Sequence, residues 1–439
     1  MQYIPNILFA ILLVVGIGFF TKNVKKLIRN IKLGKDIDRT DNSSQRWKNM
    51  AIVALGQSKM VTRPVAGILH IIVYLGFIII NIEVIEILID GLFGTHRAFA
   101  FAGGLYSFLI GSFEILAFLV LISVIIFWIR RMIIRIPRFW NKEMTSWPKN
   151  DALNILYFEM VLMSLFLIMN AADFNLQQLG ADHYIKAGSF PISKNIAGWL
   201  PQNIDALILI ERTAWWIHII GIFIFLNYLY YSKHLHVLLA FPNTYYANLN
   251  PIGELNNLKS VTDEVKMMLD PNADPYAAPA ETETDEVPEK FGASDVTDLN
   301  WIQLMNAYTC TECGRCTSVC PANQTGKELS PRAIMMKTRD RIEEVGKNID
   351  VNGSFKEDEK SLFTTITDEE IWACTSCNAC VEECPVQIDP LSIIVDLRRY
   401  LVMEQSSAPQ ELNMMFTNIE NNGAPWQYNQ MDRLNWKDE

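Results

Sequence analysis

CTECGRCTSVCP at residues 310–321 and CTSCNACVEECP at residues 374–385 contain all eight cysteines of this 439-residue chain. Both read C-x2-C-x2-C-x3-C-P, with Cys310, Cys313, Cys316 and Cys320 in the first run and Cys374, Cys377, Cys380 and Cys384 in the second. Soft thiolates select iron–sulfur over harder metals, and the two-residue spacers let three sulfurs converge on one 4Fe–4S cube. In two-cluster proteins the fourth cysteine of each run ligates the other cluster. The expected ligand sets are therefore Cys310, Cys313, Cys316 and Cys384 for one cluster, and Cys374, Cys377, Cys380 and Cys320 for its neighbour. Zinc knuckles would not need a fourth cysteine followed by proline in both copies. Disulfides fit less well still, since cysteines confined to such runs point to a reducing compartment.

Outside these runs the chain falls into two unlike halves. Apolar residues make up 50% of it although the net charge is −10. These figures are reconciled by a membrane half of roughly 240 residues followed by an acidic soluble half. Five apolar stretches are long enough to cross the roughly 30 Å hydrocarbon core: about Ile4 to Phe20, Val65 to Ile87, Tyr106 to Ile129, Ala152 to Ala171 and Leu207 to Tyr231. The connections at one end are strongly basic, with eleven Lys or Arg from Lys22 to Arg63 and six from Arg130 to Lys149. Those at the other end carry only Arg97 in one, and Lys186 and Lys194 in the other. The positive-inside rule then predicts a multi-pass protein of the bacterial inner membrane, with its N-terminus outside and its C-terminal half in the cytoplasm. The first apolar stretch has no basic leader and reads as a retained anchor. An acidic chain of this kind is not expected to bind nucleic acid.

The soluble half begins after Pro242. Residues 270–298 are rich in Pro, Ala and acids and read as a flexible linker. Beyond them, Ser330-Pro331 reads as the cap and first turn of a helix ending at Gly346. The fold class expected is all-α: a five-helix transmembrane haem b-type bundle, then an α-helical ferredoxin-like domain. The expected divisions are a transmembrane domain over 1–242, an acidic Pro/Ala-rich linker over 243–298, a dicluster domain over 299–404 and a tail over 405–439 that docks a partner.

The chain has six histidines. His70 lies in the second apolar stretch, and an ionisable ring there is a functional-site candidate. His218 and His236 are eighteen residues apart. On a continuous helix that separation is five turns, or about 27 Å, on one face. Two imidazoles from different helices would fix a low-spin b-type haem. Depth favours His70 with His236, with His234 as the alternative and His218 without an evident partner. His96 and His183 lie in connections and receive no role. The carboxylates Glu83, Glu86, Glu114, Asp173, Asp205 and Glu211 gather toward the outer side. They read either as ordinary helix-end charges or as groups exchanging protons with a quinone. No catalytic residue is assigned.

The span count, His70 and the His218/His236 spacing ending in HLHVLLAFPN resemble the haem b subunit of respiratory nitrate reductase. That family has a second histidine on its second helix where Ile80 stands here, so the resemblance implies one haem and not two. CTECGRCTSVCPANQTGKELSPRAIM, CTSCNACVEECPVQIDP and the tail IENNGAPWQYNQMDRLNW resemble the iron–sulfur portion of heterodisulfide reductase-like oxidoreductases. Both halves together look like the membrane-bound electron-transfer-flavoprotein:menaquinone oxidoreductases. The resemblance implies an electron conduit between a cytoplasmic redox partner and the quinone pool, through two 4Fe–4S clusters and a haem b. In that family the tail leads into a cysteine-rich CCG domain. With no ninth cysteine before Glu439, that domain is expected on a partner subunit, fed by an electron transfer flavoprotein. The same parts run in reverse would oxidise quinol and reduce a cytoplasmic disulfide-type acceptor. A further alternative is an anchor and relay that never meets quinone.

Overall fold

The computed structural model describes residues 3–271 and 290–438. Five helices are long and apolar enough to cross a membrane: α1 (Ile4–Ile31), α2 (Pro64–Phe93), α3 (Gly104–Met132), α4 (Ser146–Leu179) and α5 (Ile204–Tyr228). The first four contain the stretches expected from hydropathy, and α5 covers the fifth up to Tyr228, three residues short of its expected end at Tyr231. Helices are the natural form here, since every backbone polar group in hydrocarbon must be paired within its own segment. Each helix packs on its sequence neighbours and α1 also packs on α5, which closes a ring. Phe9, Ile110, Ala117, Phe166 and Ile219 lie buried at its centre. Close approach is built in: a Cβ at Gly91 would stand 2.7 Å from the ring of Phe9.

The rest of the chain is also helical, and among the described residues there is only one isolated bridge, Lys35 with Asn300. Its main elements are α6 (His236–Tyr245), α7 (Lys259–Leu269), α8 (Trp301–Thr309), α9 (Pro331–Asn352), α10 (Pro390–Arg399) and α11 (Gln410–Asn422). Local chemistry sets their starts. Asn300 makes a capping box with Gln303, the Ser330 hydroxyl accepts from Ala333 N, and Asp389 accepts from Ser392 N. Each such cap is worth about 1 kcal/mol. Leu304, Ile334, Ile342, Val345, Ile393 and Leu397 form the core between α8, α9 and α10. A fully buried side chain of this kind contributes roughly 1.5–3 kcal/mol.

Three expectations change. First, α9 does not stop at Gly346 but runs to Asn352 and ends on Gly353 in the left-handed region. Gly346 is needed for proximity, because a Cβ there would lie 2.6 Å from Asn30 Nδ2. Second, His218 and His236 do not share one helix. After Tyr228 the chain makes a 3-10 turn, extends at Ser232, turns again over Lys233–Leu235 and restarts at His236. Asp151 captures this break, accepting from Tyr228 Oη at 2.6 Å and from Lys233 N at 3.0 Å. Third, the stretch expected as a linker reaches packed structure before residue 299. Ala293 and Val296 are buried, and Ala293 N donates to Asp396 O. The central part of that stretch, residues 272–289, lies outside the described residues.

The two halves are seated on each other through α1, which continues beyond its apolar stretch. Asn30, buried, donates to Tyr308 Oη at 2.9 Å, and Arg29 donates to Gly346 O at 3.0 Å. Lys26 and Arg29 both reach Asp350 at 2.5 Å. Lys35 and Leu299 then pair through their backbones at 2.8 Å. Gly346→Val should force α9 away from α1 and cost about 1–3 kcal/mol, as overpacking does. Thermal unfolding of the detergent-solubilised protein should show a lowered midpoint. Gly18→Ala, where a Cβ meets nothing within 4 Å, should leave the midpoint unchanged; equal midpoints for the two variants would refute the close contact.

Candidate functional site

The two cysteine runs adopt the same backbone. Cys310 ends α8, a short helix over Arg315–Val319 carries Cys316, and Cys320 precedes Pro321. In the second run Cys380 sits on the short helix Ala379–Glu383 and Cys384 precedes Pro385. Glu312 (φ 53°) and Gly314 (φ 69°) take the left-handed conformation in the first loop, as Ser376 (φ 54°) and Asn378 (φ 59°) do at the matching positions of the second. These turns fold the chain around its sulfurs. Ser376 N donates to Cys374 Sγ at 3.4 Å, and Ile388 N donates to Cys384 Sγ at 3.3 Å.

The two short helices pack on each other, which brings each run's last cysteine to the other run. Cys384 lines one cavity with Cys310, Cys313 and Cys316, and Cys380 borders the same cavity. Cys320 lies within the electrostatic reach of Cys374 and Cys380. Burial pushes the Cys310 thiol up to about 12 and the Cys384 thiol up to about 11. Thiols in such a place ionise when a cationic metal group supplies the compensating charge. Among the described residues no three His, Cys, Asp or Glu side chains converge tightly enough for a single metal ion. Thiolates that hold the corners of a cube stand wider apart than ligands of one ion, so the donor set fits clusters better than zinc.

The first loop faces the bundle. Arg315 donates to Lys59 O at 3.1 Å and Arg63 donates to Ser318 Oγ at 3.2 Å, both on the connection leading into α2. Arg332, fully buried, holds Glu143 at 2.6 Å and Arg138 O at 2.7 Å on the connection between α3 and α4. The second run touches the same connection at its far end, where Lys59 donates to Glu382 O and Arg63 to Glu383, both at 2.8 Å, while in its loop Cys377 is exposed and Arg398 donates to Ile371 O at 2.7 Å.

Beneath the first loop, the rings of His70 and His236 stand 6.4 Å apart between centroids, tilted by 40°. Metal–nitrogen bonds of about 2 Å put two imidazoles sharing one iron at roughly this separation. His236 Nδ1 is engaged by Lys233 O at 3.0 Å, which leaves Nε2 for a ligand, and His70 Nδ1 is buried with no partner. His234 stays in the group, 5.6 Å from His236 and 3.9 Å from Glu159. His218 is apart from them. Its Nδ1 meets Leu162 O at 3.0 Å and its ring lies against Phe166.

At the opposite end of the bundle the expected carboxylates are mostly inside. Glu83, Glu86, Glu114, Asp173 and Glu211 are buried, whereas Asp205 is exposed. Arg97 folds back to hold Asp173 at 2.6 Å and Asn170 at 2.9 Å, while Tyr106 donates to Glu86 at 2.9 Å. His96, given no role from sequence, meets Asp173 at 3.1 Å. Glu114 accepts from the backbone of Ile192 and Ser193. Sequence reasoning also passed over Lys233, Glu312 and Arg332. The usable signal was a glutamate inside a cysteine run and a lysine between histidines.

Residues 309–388 match the family described as 4Fe-4S dicluster domain. The chain is 29% identical, over 99% of its length, to the probable iron-sulfur-binding oxidoreductase FadF of Bacillus subtilis, and 25% identical, over 92%, to the EtfAB:quinone oxidoreductase of Syntrophomonas wolfei. It spans 61% and 55% of those two relatives. A probable membrane-anchored ferredoxin of Chromohalobacter salexigens is 30% identical over 35% of this chain and 25% of its own. No solved structure matches. The chain carries a 4Fe-4S dicluster domain and five candidate membrane helices, and its relatives are iron–sulfur oxidoreductases.

Crossed ligation is directly testable. Cys320→Ser should remove chiefly the cluster served by Cys374, Cys377 and Cys380, with iron content falling and one of two paramagnetic signals lost. Loss confined to the cluster served by Cys310 would show the assignment to be wrong.

Proposed function

We propose that the chain is the membrane-bound electron-transfer subunit of a quinone-linked oxidoreductase. It carries electrons between a cytoplasmic redox partner and the quinone pool through two 4Fe–4S clusters and one haem b. The observation that carries this reading is the seating of the first cysteine loop on both segments that bear the paired histidines. Arg315 reaches the turn before α2, which carries His70, and Lys233, three residues before His236, reaches Glu312. Cys310, Cys313, Cys316 and Cys384 would hold the cluster nearer the membrane. Cys374, Cys377, Cys380 and Cys320 would hold the outer one, where Cys377 is exposed to a partner.

His70 and His236 would hold the haem, and His218 is left outside this assignment. A haem with two imidazole ligands supplies one-electron transfer and no open coordination position. The chain's own residues would orient the rings and exclude water. The basic connections support a cluster domain in the cytoplasm of a bacterium and an N-terminus outside. Residues 1–242 would be the membrane domain and 299–404 the dicluster domain. The printed name of the Syntrophomonas wolfei relative, EtfAB:quinone oxidoreductase, favours flow from a flavoprotein toward quinone.

The tail supports a docking role. Trp426, Tyr428, Met431 and Trp436 are 49%, 71%, 85% and 73% exposed, and large side chains of this kind dominate interface energetics. Deleting residues 419–439 should leave clusters and haem in place but release the partner and stop quinone reduction; a truncated chain that co-purifies at full activity would refute the role. His70→Ala and His236→Ala should each abolish the visible haem band while the cluster signals remain. A full haem complement in both variants sinks the haem assignment.

A further inference from the structure

Lys233 links several segments. Its carbonyl oxygen accepts from His236 Nδ1 at 3.0 Å, and its ammonium donates to Glu312, between Cys310 and Cys313, and to Pro148 O at 2.7 Å. Arg339 from α9 closes the other side, 2.8 Å from Glu312 Oε1. The side chains of Glu312 and Lys233 are only 2% and 8% exposed. Asp151 stands 4.0 Å from the ammonium.

Nothing in the backbone asks for a glutamate here. The matching position of the second loop is Ser376, with the same left-handed φ, and its hydroxyl accepts from Arg398 Nη1 at 3.2 Å. The first loop therefore carries a buried carboxylate that its structural twin lacks. Its partners are a cation from the histidine-bearing segment and a cation from the dicluster domain.

We propose that Glu312, clamped between Lys233 and Arg339, is the positioning residue that joins the His236 segment to the membrane-proximal cluster and sets that cluster's reduction potential. A fixed negative charge beside a cluster disfavours the added electron, and a fixed positive charge favours it. The backbone carbonyl of Lys233 also engages the His236 ring, so one residue touches both the histidine and the cluster loop. The inference rests on the ligand assignments above, and the cluster measurement does not need the haem.

The test is potentiometric titration of the cluster signals, followed by electron paramagnetic resonance, in the full-length protein in detergent. Glu312→Gln should raise the midpoint of one cluster and Lys233→Met should lower it. Neither should move the cluster of Cys374, Cys377 and Cys380 by as much. The double variant restores the net charge and should return the midpoint toward the parent value, as should Glu312→Asp and Lys233→Arg. A parent protein without haem overturns the haem reading and leaves the cluster result standing. Single variants that shift the midpoint in the same direction, or not at all, overturn the proposal. So does loss of the cluster in all the variants, Glu312→Asp included, since shape and not charge would then be what the position requires.

Discussion

Seating a polar, cysteine-bearing domain on the end of an apolar bundle buries charge, and an unpaired buried charge costs several kcal/mol. The junction is arranged accordingly. Arg332, with none of its side chain exposed, is held by Glu143 and two backbone carbonyls, Arg138 O and Glu312 O. Lys233 and Arg339 share Glu312, while Arg63 pairs with Glu383 at 2.6 Å. Each partner comes from a different segment, so the pairing is satisfied only in one seating of the two halves. Pairs of this kind add little net stability over a well-packed apolar contact, but breaking one is expensive. What they supply here is a unique relative position for the cysteine loops and the paired imidazoles.

The same rule acts at the far end of the bundle with different consequences. Arg97 enters from the connection after α2 and neutralises part of a group of buried acids contributed by α2 and α4. It is thereby consumed as an internal counter-ion. The basic residues that remain at the surface are concentrated still more strongly at the end that carries the dicluster domain. Both ends of the membrane half are thus locked by charge, while its centre is held by apolar packing and close helix approach.

Much of the candidate site was legible because its chemistry is local in sequence. Spacers of two residues between cysteines specify a cluster loop whatever surrounds it, and the repetition of the left-handed pair at Glu312/Gly314 and Ser376/Asn378 gives both loops one shape. The meeting of His70 and His236 was anticipated by depth, but the supporting geometry was not what brought it about. A continuous helix from His218 would have served that argument. The chain instead breaks at Ser232, because Asp151, far away in sequence, offers acceptors to Tyr228 and Lys233 at the same point. Gly346 was misread for a related reason. A glycine late in a helix signals a stop, yet here it marks where another helix comes close, and sequence does not distinguish the two.

The sequence by itself determined the number of membrane helices, the all-helical class and the dicluster chemistry. Each of these follows from short-range quantities: apolar run length, cap residues and cysteine spacing. Tertiary structure alone decided which cysteine loop faces the bundle, that the acids of the far end lie inside and not at a surface, and that Lys233 and Glu312 meet. Those outcomes depend on pairing between residues separated by tens to hundreds of positions, 79 in the case of Lys233 and Glu312. Such partners are chosen by the cost of burying charge, a cost that exists only once the chain has folded around it.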